Sequence, residues 1–472
     1  MIHVEDSMIV VSEFLVATNH VKRFNLDLIS RGVTSFGITF FAWWTPVFAK
    51  TPSLPAGDFL MMSARLLNWT AVLVVVSAAI IAPFSVGACP FCSAPSLTLT
   101  EQVAQSDAVV LVKWVGGQPA KISDAGSTEF EVVDIVHQPD GGKLAKGSKI
   151  SLVRYRSAKP GDQFMLFGTK VESAIEWGSP LEVSKQAYEY MRNSPKPSLP
   201  AGERLAFFLK YLETEDKMIS DDAFGEFANA AYADVAKLGK QLPREKLRKW
   251  LTSKDVSPGR TGLYGMMLGL CGNADDAKLM EEKIVEQTDD FRLGVDGIMG
   301  GYLLLTGDKG LELIEKQKLT NSKAPFSETY AAMQALRFMW QYGDGRISVD
   351  RLRQSMRLLL DRPELADLVI ADLSRMKDWS VQDKLMSLYD APENIPSVKR
   401  AIVRYMLSST KDTGEKKPDA TAATGASAGP SVATSEPVEL PAHVLKGQKC
   451  LEELEQKDPK TVNEAKRFFL LK

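Results

Sequence analysis

The chain has 472 residues, which is enough for two or three domains of ordinary size. Apolar residues make up 45% and charged residues 25% of it, the balance of a globular protein with a hydrophobic core. The formal net charge of -2 argues against a nucleic-acid partner, because phosphate binding requires clustered Lys and Arg in excess.

Histidine is scarce, and this limits the catalytic chemistry that the chain can support. The four histidines are His3, His20, His137 and His443. A zinc hydrolase or a Ser-His-Asp enzyme needs histidines brought together with other ligands or with a nucleophile. A phosphate loop of the Gly-x-x-x-x-Gly-Lys-Ser/Thr type does not occur in the sequence. We therefore predict that the protein is not an enzyme and uses no cofactor or metal.

Two apolar stretches precede the first cysteine, at residues 33–49 and 69–84. Both are shorter than the roughly 20 residues that span a bilayer comfortably. The second stretch follows a positive charge and ends at small residues, which is the layout of a secretory signal. Residues 61–88 are therefore predicted to be a signal peptide or a membrane anchor. Residues 1–60 are predicted to be an extension upstream of the true start, or else a first membrane segment.

The mature chain is predicted to begin at Cys89, directly after the small residues Val86-Gly87-Ala88. This pattern resembles a bacterial lipobox, so Cys89 is predicted to be the mature N-terminus or a lipid-attachment site. A disulfide between Cys89 and Cys92 is a further interpretation. A redox pair and half of a zinc site are weaker alternatives, because the pair follows a cleavage site and a second ligand pair is absent. In each case the signal, the anchor or the lipid makes a membrane the first partner, and residues 93–472 lie outside the cytoplasm.

Residues 89–178 have the pattern of a small β-domain. A short helix is predicted at 96–107. Strands separated by Gly and Pro turns are predicted at 108–115, which is dense in β-branched residues, and at 128–136, 149–155 and 163–168. Short strands at this spacing indicate a small barrel.

Four features of this region occur in a characteristic order: the pair Cys89/Cys92, then Ser106-Asp107-Ala108-Val109-Val110, Lys146-Gly147, and Gly161-Asp162-Gln163-Phe164-Met165-Leu166. In this order they resemble the netrin-like module, the OB-type barrel of the tissue inhibitors of metalloproteinases. The resemblance implies an inhibitor that chelates a protease's zinc through the amine and carbonyl of its first cysteine. The family has Cys-x-Cys and partner cysteines that tie this end to the barrel. This chain has Cys-x-x-Cys and no cysteine between Ser93 and Leu270.

From residue 203 the pattern becomes helical, after a proline-containing linker predicted at 179–202. Over 203–408 helices follow one another every 16–20 residues or so, with Asp, Pro or Gly at the breaks. This style resembles HEAT repeats, and an irregular helical domain is the alternative. Glycines spaced three and four apart, in the runs 259–272 and 294–301, predict close contact between helices.

The remaining predictions concern the C-terminal region and the two other cysteines. Residues 409–441 are rich in Ala, Thr, Ser, Gly and Pro and are predicted to be a disordered linker. Residues 442–472 are predicted to be a helix pair that packs on the array. Cys271 lies in an apolar run and is predicted to be buried, whereas Cys450 is predicted to be partly exposed.

The predicted fold class is a multidomain protein, β then α: a small OB-type β-barrel followed by an all-α HEAT-like array. The predicted function is that of an exported, envelope-associated binding or scaffold protein without catalytic activity, acting on an unknown protein partner. Inhibition of a metalloprotease through the netrin-like domain is the alternative.

Overall fold

The computed structural model describes residues 89–92, 97–122, 124–172, 174–288, 290–391, 395–413 and 440–470. The predicted extension 1–60, the predicted signal or anchor 61–88 and most of the predicted linker 409–441 lie outside these ranges. Among the helices within them, none is both long and apolar enough to cross a membrane.

A short helix and an antiparallel sheet form the first part of the described chain. The elements are α1 (Leu99–Gln105), β1 (Ala108–Gln118), β2 (Ser127–His137), β3 (Lys149–Leu152), β4 (Gln163–Val171), β5 (Ala174–Trp177) and β6 (Leu181–Glu182). The strand order is β3-β2-β1-β4-β5, and β6 adds a second pairing to β4. Since no pairing joins the β3 edge to the β5 edge within the described residues, the sheet is open, and the predicted closure into a barrel is not observed.

Strand β1 lies at the centre of the sheet and is buried on both faces. Its first five residues, Ala108–Val112, form a continuous apolar run, which is the pattern of a strand covered from two sides. Val110 and Val112 pack in a core that the strands make among themselves, where Phe130 and Phe164 meet edge to face. Val109 and Leu111 point the other way and join the core of the helices.

Helices account for almost all the described chain after the sheet. They are α2 (Lys185–Asn193), α3 (Ala201–Phe208), α4 (Lys217–Ala228), α5 (Tyr232–Leu238), α6 (Arg244–Thr252), α7 (Thr261–Cys271), α8 (Ala274–Val285), α9 (Val295–Thr306), α10 (Asp308–Ile314), α11 (Phe326–Tyr342), α12 (Val349–Arg357), α13 (Ala366–Arg375), α14 (Gln382–Asp390), α15 (Pro396–Ser409), α16 (Ala442–Lys457) and α17 (Pro459–Leu470). A β-region followed by an α-region is therefore the observed architecture.

Side chains that cap the free backbone amides fix where several of these helices begin. Thr98 and Glu101 form a reciprocal capping box on α1, and Asn273 and Asp276 form the same arrangement on α8. Asp216 accepts hydrogen bonds from two amides at the start of α4. These polar residues fix the position at which each of these helices begins.

Glycines bring the backbones of α7 and α9 into direct contact. A Cβ atom added at Gly265 would lie 2.7 Å from the backbone nitrogen of Ile298, and Gly269 and Gly301 approach each other in the same way one turn further on. Only residues without a side chain allow two helix backbones to come this close. The predicted role of these glycines in helix packing is confirmed.

The sheet and the helices share one core and belong to one compact unit. Residues 179–202, expected to be a linker, instead contain β6 and α2. Tyr188 and Tyr190 of α2 are buried between the sheet and α4. The prolines of this segment predicted a linker, but Tyr188 and Tyr190 fill the space between the sheet and α4.

The last two helices pack against α15. Val444 and Leu454 of α16 and Val462 of α17 are buried. The Gln382 amide donates to the carbonyl of His443 (2.9 Å), and the Tyr389 hydroxyl donates to Asp458 (2.9 Å). Cys450 is buried by the same packing, so the prediction of a partly exposed thiol there is wrong.

Candidate functional site

Cys89 and Cys92 close a four-residue loop at the beginning of the described chain. A disulfide bond joins the two cysteines. The Cys89 amide donates to the carbonyl of Ala228 at the end of α4 (3.1 Å), and the Cys92 amide donates to the Cys89 carbonyl (3.3 Å). Only 4% of Cys89 is exposed. The loop is therefore attached to the helical region rather than projecting from it.

Phe91 fixes this loop to a seat on three helices. The ring lies over Gly300 of α9, where an added Cβ would come within 2.7 Å of a phenyl carbon, and the Phe91 carbonyl lies over Gly262 of α7, 2.9 Å from an added Cβ. The centroid of the ring is 4.8 Å from that of Phe338 on α11. Gly300 leaves the volume that the ring occupies, Gly262 lets the backbone of the loop approach α7, and only 8% of Phe91 remains exposed. The turn of residues 89–92 thus places the Phe91 side chain in a cleft between helices.

The geometry of Cys89 bears on both predicted roles of this residue. Attachment of a lipid to the Cys89 sulfur and the observed disulfide exclude each other, because each uses the same single valence of that sulfur. A zinc-chelating tip would need the nitrogen and the carbonyl oxygen of Cys89 to be free. Both atoms are instead bonded within the chain, to Ala228 and to Cys92.

A pair of buried carboxylates on α4 connects the helices that surround the sheet. Asp222 accepts hydrogen bonds from the Leu99 amide (2.6 Å) and from the Tyr190 hydroxyl (2.7 Å). Glu226, one turn later, accepts from the hydroxyl of Thr100 and from the guanidinium of Arg204. The pair therefore links α1, α2 and α3 through α4.

The two carboxylates differ in what compensates their burial. Burial raises the pKa of Asp222 to about 6, and the nearby carboxylates of Glu226 and Glu101 act in the same direction. The hydrogen bonds from Leu99 and Tyr190 lower it again, but only in part. Glu226 has the positive charge of Arg204 at hydrogen-bonding distance, whereas Asp222 has neutral donors alone. Their spacing of four residues within an apolar helix is a signal that the sequence analysis did not use.

A cleft of about 430 Å³ opens on the helical array between the end of α8 and the start of α11. Glu328, in the lining of the cleft, accepts two hydrogen bonds from Arg292 (2.8 and 2.6 Å) and forms an ion pair with Lys318 (2.8 Å). Burial raises the pKa of Glu328, but the hydrogen bonds from these two cations outweigh it, and the pKa lies below its usual range. Lys318 stands on a π-helical turn, Glu315–Leu319, and such turns are frequent at functional sites.

Large apolar side chains are exposed in the lining of this cleft and at positions next to lining residues in the sequence. Val285 lines it, Phe291 and Leu293 flank Arg292, and Phe326 follows Pro325 at its edge. We call these four residues the Phe291 rim, after the member that is 70% exposed. The apolar pattern of residues 291–306 predicts a helix that would include Phe291 and Leu293. That helix begins only at Val295, which leaves both side chains in the preceding loop.

The surroundings of the remaining candidate residues, Cys271 and His137, indicate structural roles. Cys271 is half-buried, and burial raises the pKa of its thiol to about 11, so little thiolate is present near neutral pH. The Nε2 atom of His137 lies 2.6 Å from the Ser106 carbonyl, and so it is the protonated ring nitrogen. In the described ranges no cluster of three or more His, Cys, Asp and Glu side chains is arranged to hold a metal ion.

Comparison with known proteins gives no further guide to the site. No protein-family model matches the chain, and neither a curated protein nor a solved structure matches it.

Proposed function

We propose that this is an exported, envelope-associated protein without catalytic activity, which binds a protein partner through its helical array. The observation that carries the proposal is the Phe291 rim around the cleft of Arg292, Lys318 and Glu328. Neighbouring exposed apolar side chains bordered by polar groups are typical of protein-binding surfaces. An exposed aromatic residue beside a pocket is also the usual form of an energetic anchor.

The chemistry of the cleft indicates what kind of partner fits it. Its lining contains three cations, Arg292, Lys318 and Lys323, and two carboxylates, Glu286 and Glu328. Glu328 is already saturated by Arg292 and Lys318. The positive excess favours a partner segment that carries apolar side chains for the rim and a carboxylate for the cleft.

The location of the protein is part of the same proposal. It rests on the layout of residues 61–88 and on the small residues before Cys89. A disulfide between Cys89 and Cys92 fits an oxidising compartment outside the cytoplasm. The attachment to a membrane would then come from the signal or anchor segment, because the Cys89 sulfur is occupied.

We also retain the two family resemblances as proposals. The netrin-like resemblance of residues 89–177 is supported by the short, β-branched strands and by the core that one sheet face makes for itself. The HEAT-like resemblance is supported by alternate helices of the chain that pack on one another, such as α13 on α15 and α15 on α17. No observation favours the inhibitor alternative, since the Cys89 nitrogen and carbonyl are bonded internally.

The partner is tested by site-specific crosslinking in intact cells of the source organism. A photoreactive phenylalanine analogue is placed at position 291, and in a second strain at position 122, where Ile122 is fully exposed in the loop between β1 and β2. We expect a discrete adduct from position 291 alone. Leu293→Ser should remove that adduct by deleting part of the rim. The matched change Val153→Ser, at an exposed apolar residue just after β3, should leave it intact.

Two results would contradict the proposal. One is an adduct pattern that is the same at positions 291 and 122, and the other is an adduct that survives Leu293→Ser. The location is tested on the same material by measuring the mass and the N-terminal residue of the mature protein. A disulfide lowers the mass by two hydrogens, whereas a lipid on Cys89 raises it by a fatty-acyl-containing group, and the two cannot coexist on one sulfur.

A further inference from the structure

A second cavity lies where the sheet meets the helices, and it involves none of the residues of the Phe291 rim. Its volume is about 630 Å³, within the range of roughly 300–1,000 Å³ that is usual for small-molecule sites. It is enclosed by α1, the end of β2, the end of α2 and the segment 194–198. Cavities of this kind occur preferentially where two structural regions join. We call it the junction cavity.

The inner wall of the junction cavity is apolar. Val103 of α1 and Val136 of β2 are half-buried and pack against the main core, and Met191 of α2 is almost fully buried beside them. Methionine adapts its shape to different apolar groups. The wall can therefore accommodate an alkyl or similar apolar body while excluding water from it.

The outer part of the cavity carries unpaired positive charge. Arg192, in the last turn of α2, and Lys196, four residues after Arg192, are both exposed. Within the described part of the chain neither of them forms an ion pair, and the cavity lining contains no Asp or Glu. Most other charged residues near the junction are paired, for example Asp134 with Lys146 and Glu226 with Arg204.

We propose that the junction cavity binds a small amphipathic anion, a free carboxylate with an alkyl chain. The chain would lie on Val103, Val136 and Met191, and the carboxylate would face Arg192 and Lys196. The charge of these two side chains selects an anion, and the enclosed apolar wall selects a chain over a small inorganic ion. His137 lines one side of the cavity. Its Nε2–H donates to the Ser106 carbonyl, and this hydrogen bond fixes the orientation of the ring.

The test is calorimetric titration of the purified protein with decanoate, at concentrations where decanoate is monomeric. Decanol, which has the same chain without the charge, and butyrate, which has the charge with a short chain, are the ligand controls. We expect decanoate to bind, and decanol and butyrate to bind at least about tenfold more weakly. Arg192→Gln and Lys196→Gln should each lower the affinity for decanoate by about five- to tenfold.

Two further variants keep the test specific. Lys185→Gln removes the same charge from the other end of α2, outside the cavity, and should leave the affinity within about twofold. Ala104→Trp fills the cavity from an exposed position of α1 and should abolish binding of decanoate and decanol alike. A thermal melt of this variant that matches the wild type shows that the loss of binding is local.

Several outcomes would overturn the proposal. They are no heat of binding with decanoate, equal affinity for decanol, or an affinity that neither Arg192→Gln nor Lys196→Gln changes. A further one is co-sedimentation with phosphatidylglycerol vesicles that depends on Arg192 and Lys196 while free decanoate does not bind. That result would assign the two cations to a membrane surface instead.

Discussion

At the scale of single residues, Asp222 should make the stability of the protein depend on pH. Its pKa is about 6 in the folded protein, against 3.8 for an ordinary Asp. The folded state therefore binds the proton more tightly than the unfolded state, and stability falls as the pH rises from about 4 through about 6. At pH 7.5 the ionisation of Asp222 lowers the free energy of unfolding by at most roughly 3 kcal/mol, as the difference between the two pKa values requires.

We predict that Asp222→Asn removes this pH dependence. Asparagine can still accept from the Leu99 amide, and it carries no charge that must be buried. Urea unfolding at pH 4 and at pH 7.5 measures the effect: relative to wild type, the variant should gain up to roughly 3 kcal/mol between the two. The control is Asp275→Asn at an exposed position of α8. Parallel curves for wild type and Asp222→Asn would refute the prediction.

Phe91 should contribute more to stability than any exposed phenylalanine of the chain. Its ring fills the space left by Gly300 and packs on Phe338. We expect Phe91→Ala to lower the free energy of unfolding by about 3–5 kcal/mol, because it leaves a cavity and frees the loop. The matched change Phe291→Ala, at a residue that is 70% exposed, should change it by no more than about 0.5 kcal/mol. Equal effects at the two positions would mean that the loop is not seated as described.

At the scale of helices, the glycine contact of α7 and α9 allows a sharp test. In Gly265→Ala the new methyl group would meet the backbone of Ile298, which cannot move aside as a side chain could. We expect destabilisation of about 1–3 kcal/mol or more. Gly202→Ala on α3 is the control, since nothing lies within 4 Å of its added Cβ. There the alanine should stabilise the helix by up to about 1 kcal/mol. Thermal melts of both variants decide the matter, and similar shifts in both would count against close backbone contact.

Elements with a strong local pattern could be predicted from the sequence, and elements defined by their partners could not. Strands β1 to β4 have runs of apolar residues typical of strands, with clear turns between them, and the glycine spacing indicated the contact of α7 with α9. Strand β6 has two residues, and its existence depends on β4. Helix α2 follows a segment rich in turns, and its tyrosines are explained only by Asp134 and Asp222 far away in the chain.

The candidate sites were less predictable than the elements for the same reason. Cys89 and Cys92 could be singled out by their position after small residues. Their attachment to Ala228, more than 130 residues later, is a tertiary contact without a local signal. Barrel closure likewise depends on whether the two edge strands meet, which no single strand determines. The exposure of Phe291 followed from a helix that begins four residues later than its apolar pattern suggested.

At the scale of the whole molecule, the shared core should make the sheet and the helices unfold together. Val109, Leu111 and Met165 face the helical core, and the Tyr188 hydroxyl of α2 donates to Asp134 of β2 across the same junction. A fragment of residues 89–183 would expose that apolar face to water, so we predict that it does not fold alone. In the full chain, amides of β1 and α4 should exchange with solvent at the same free energy of opening, because one global event exposes both. Hydrogen exchange at increasing denaturant measures this for each element. If β1 stayed protected after α4 had opened, or if the fragment gave a cooperative melt, the two regions would be separate domains, as the sequence alone suggested.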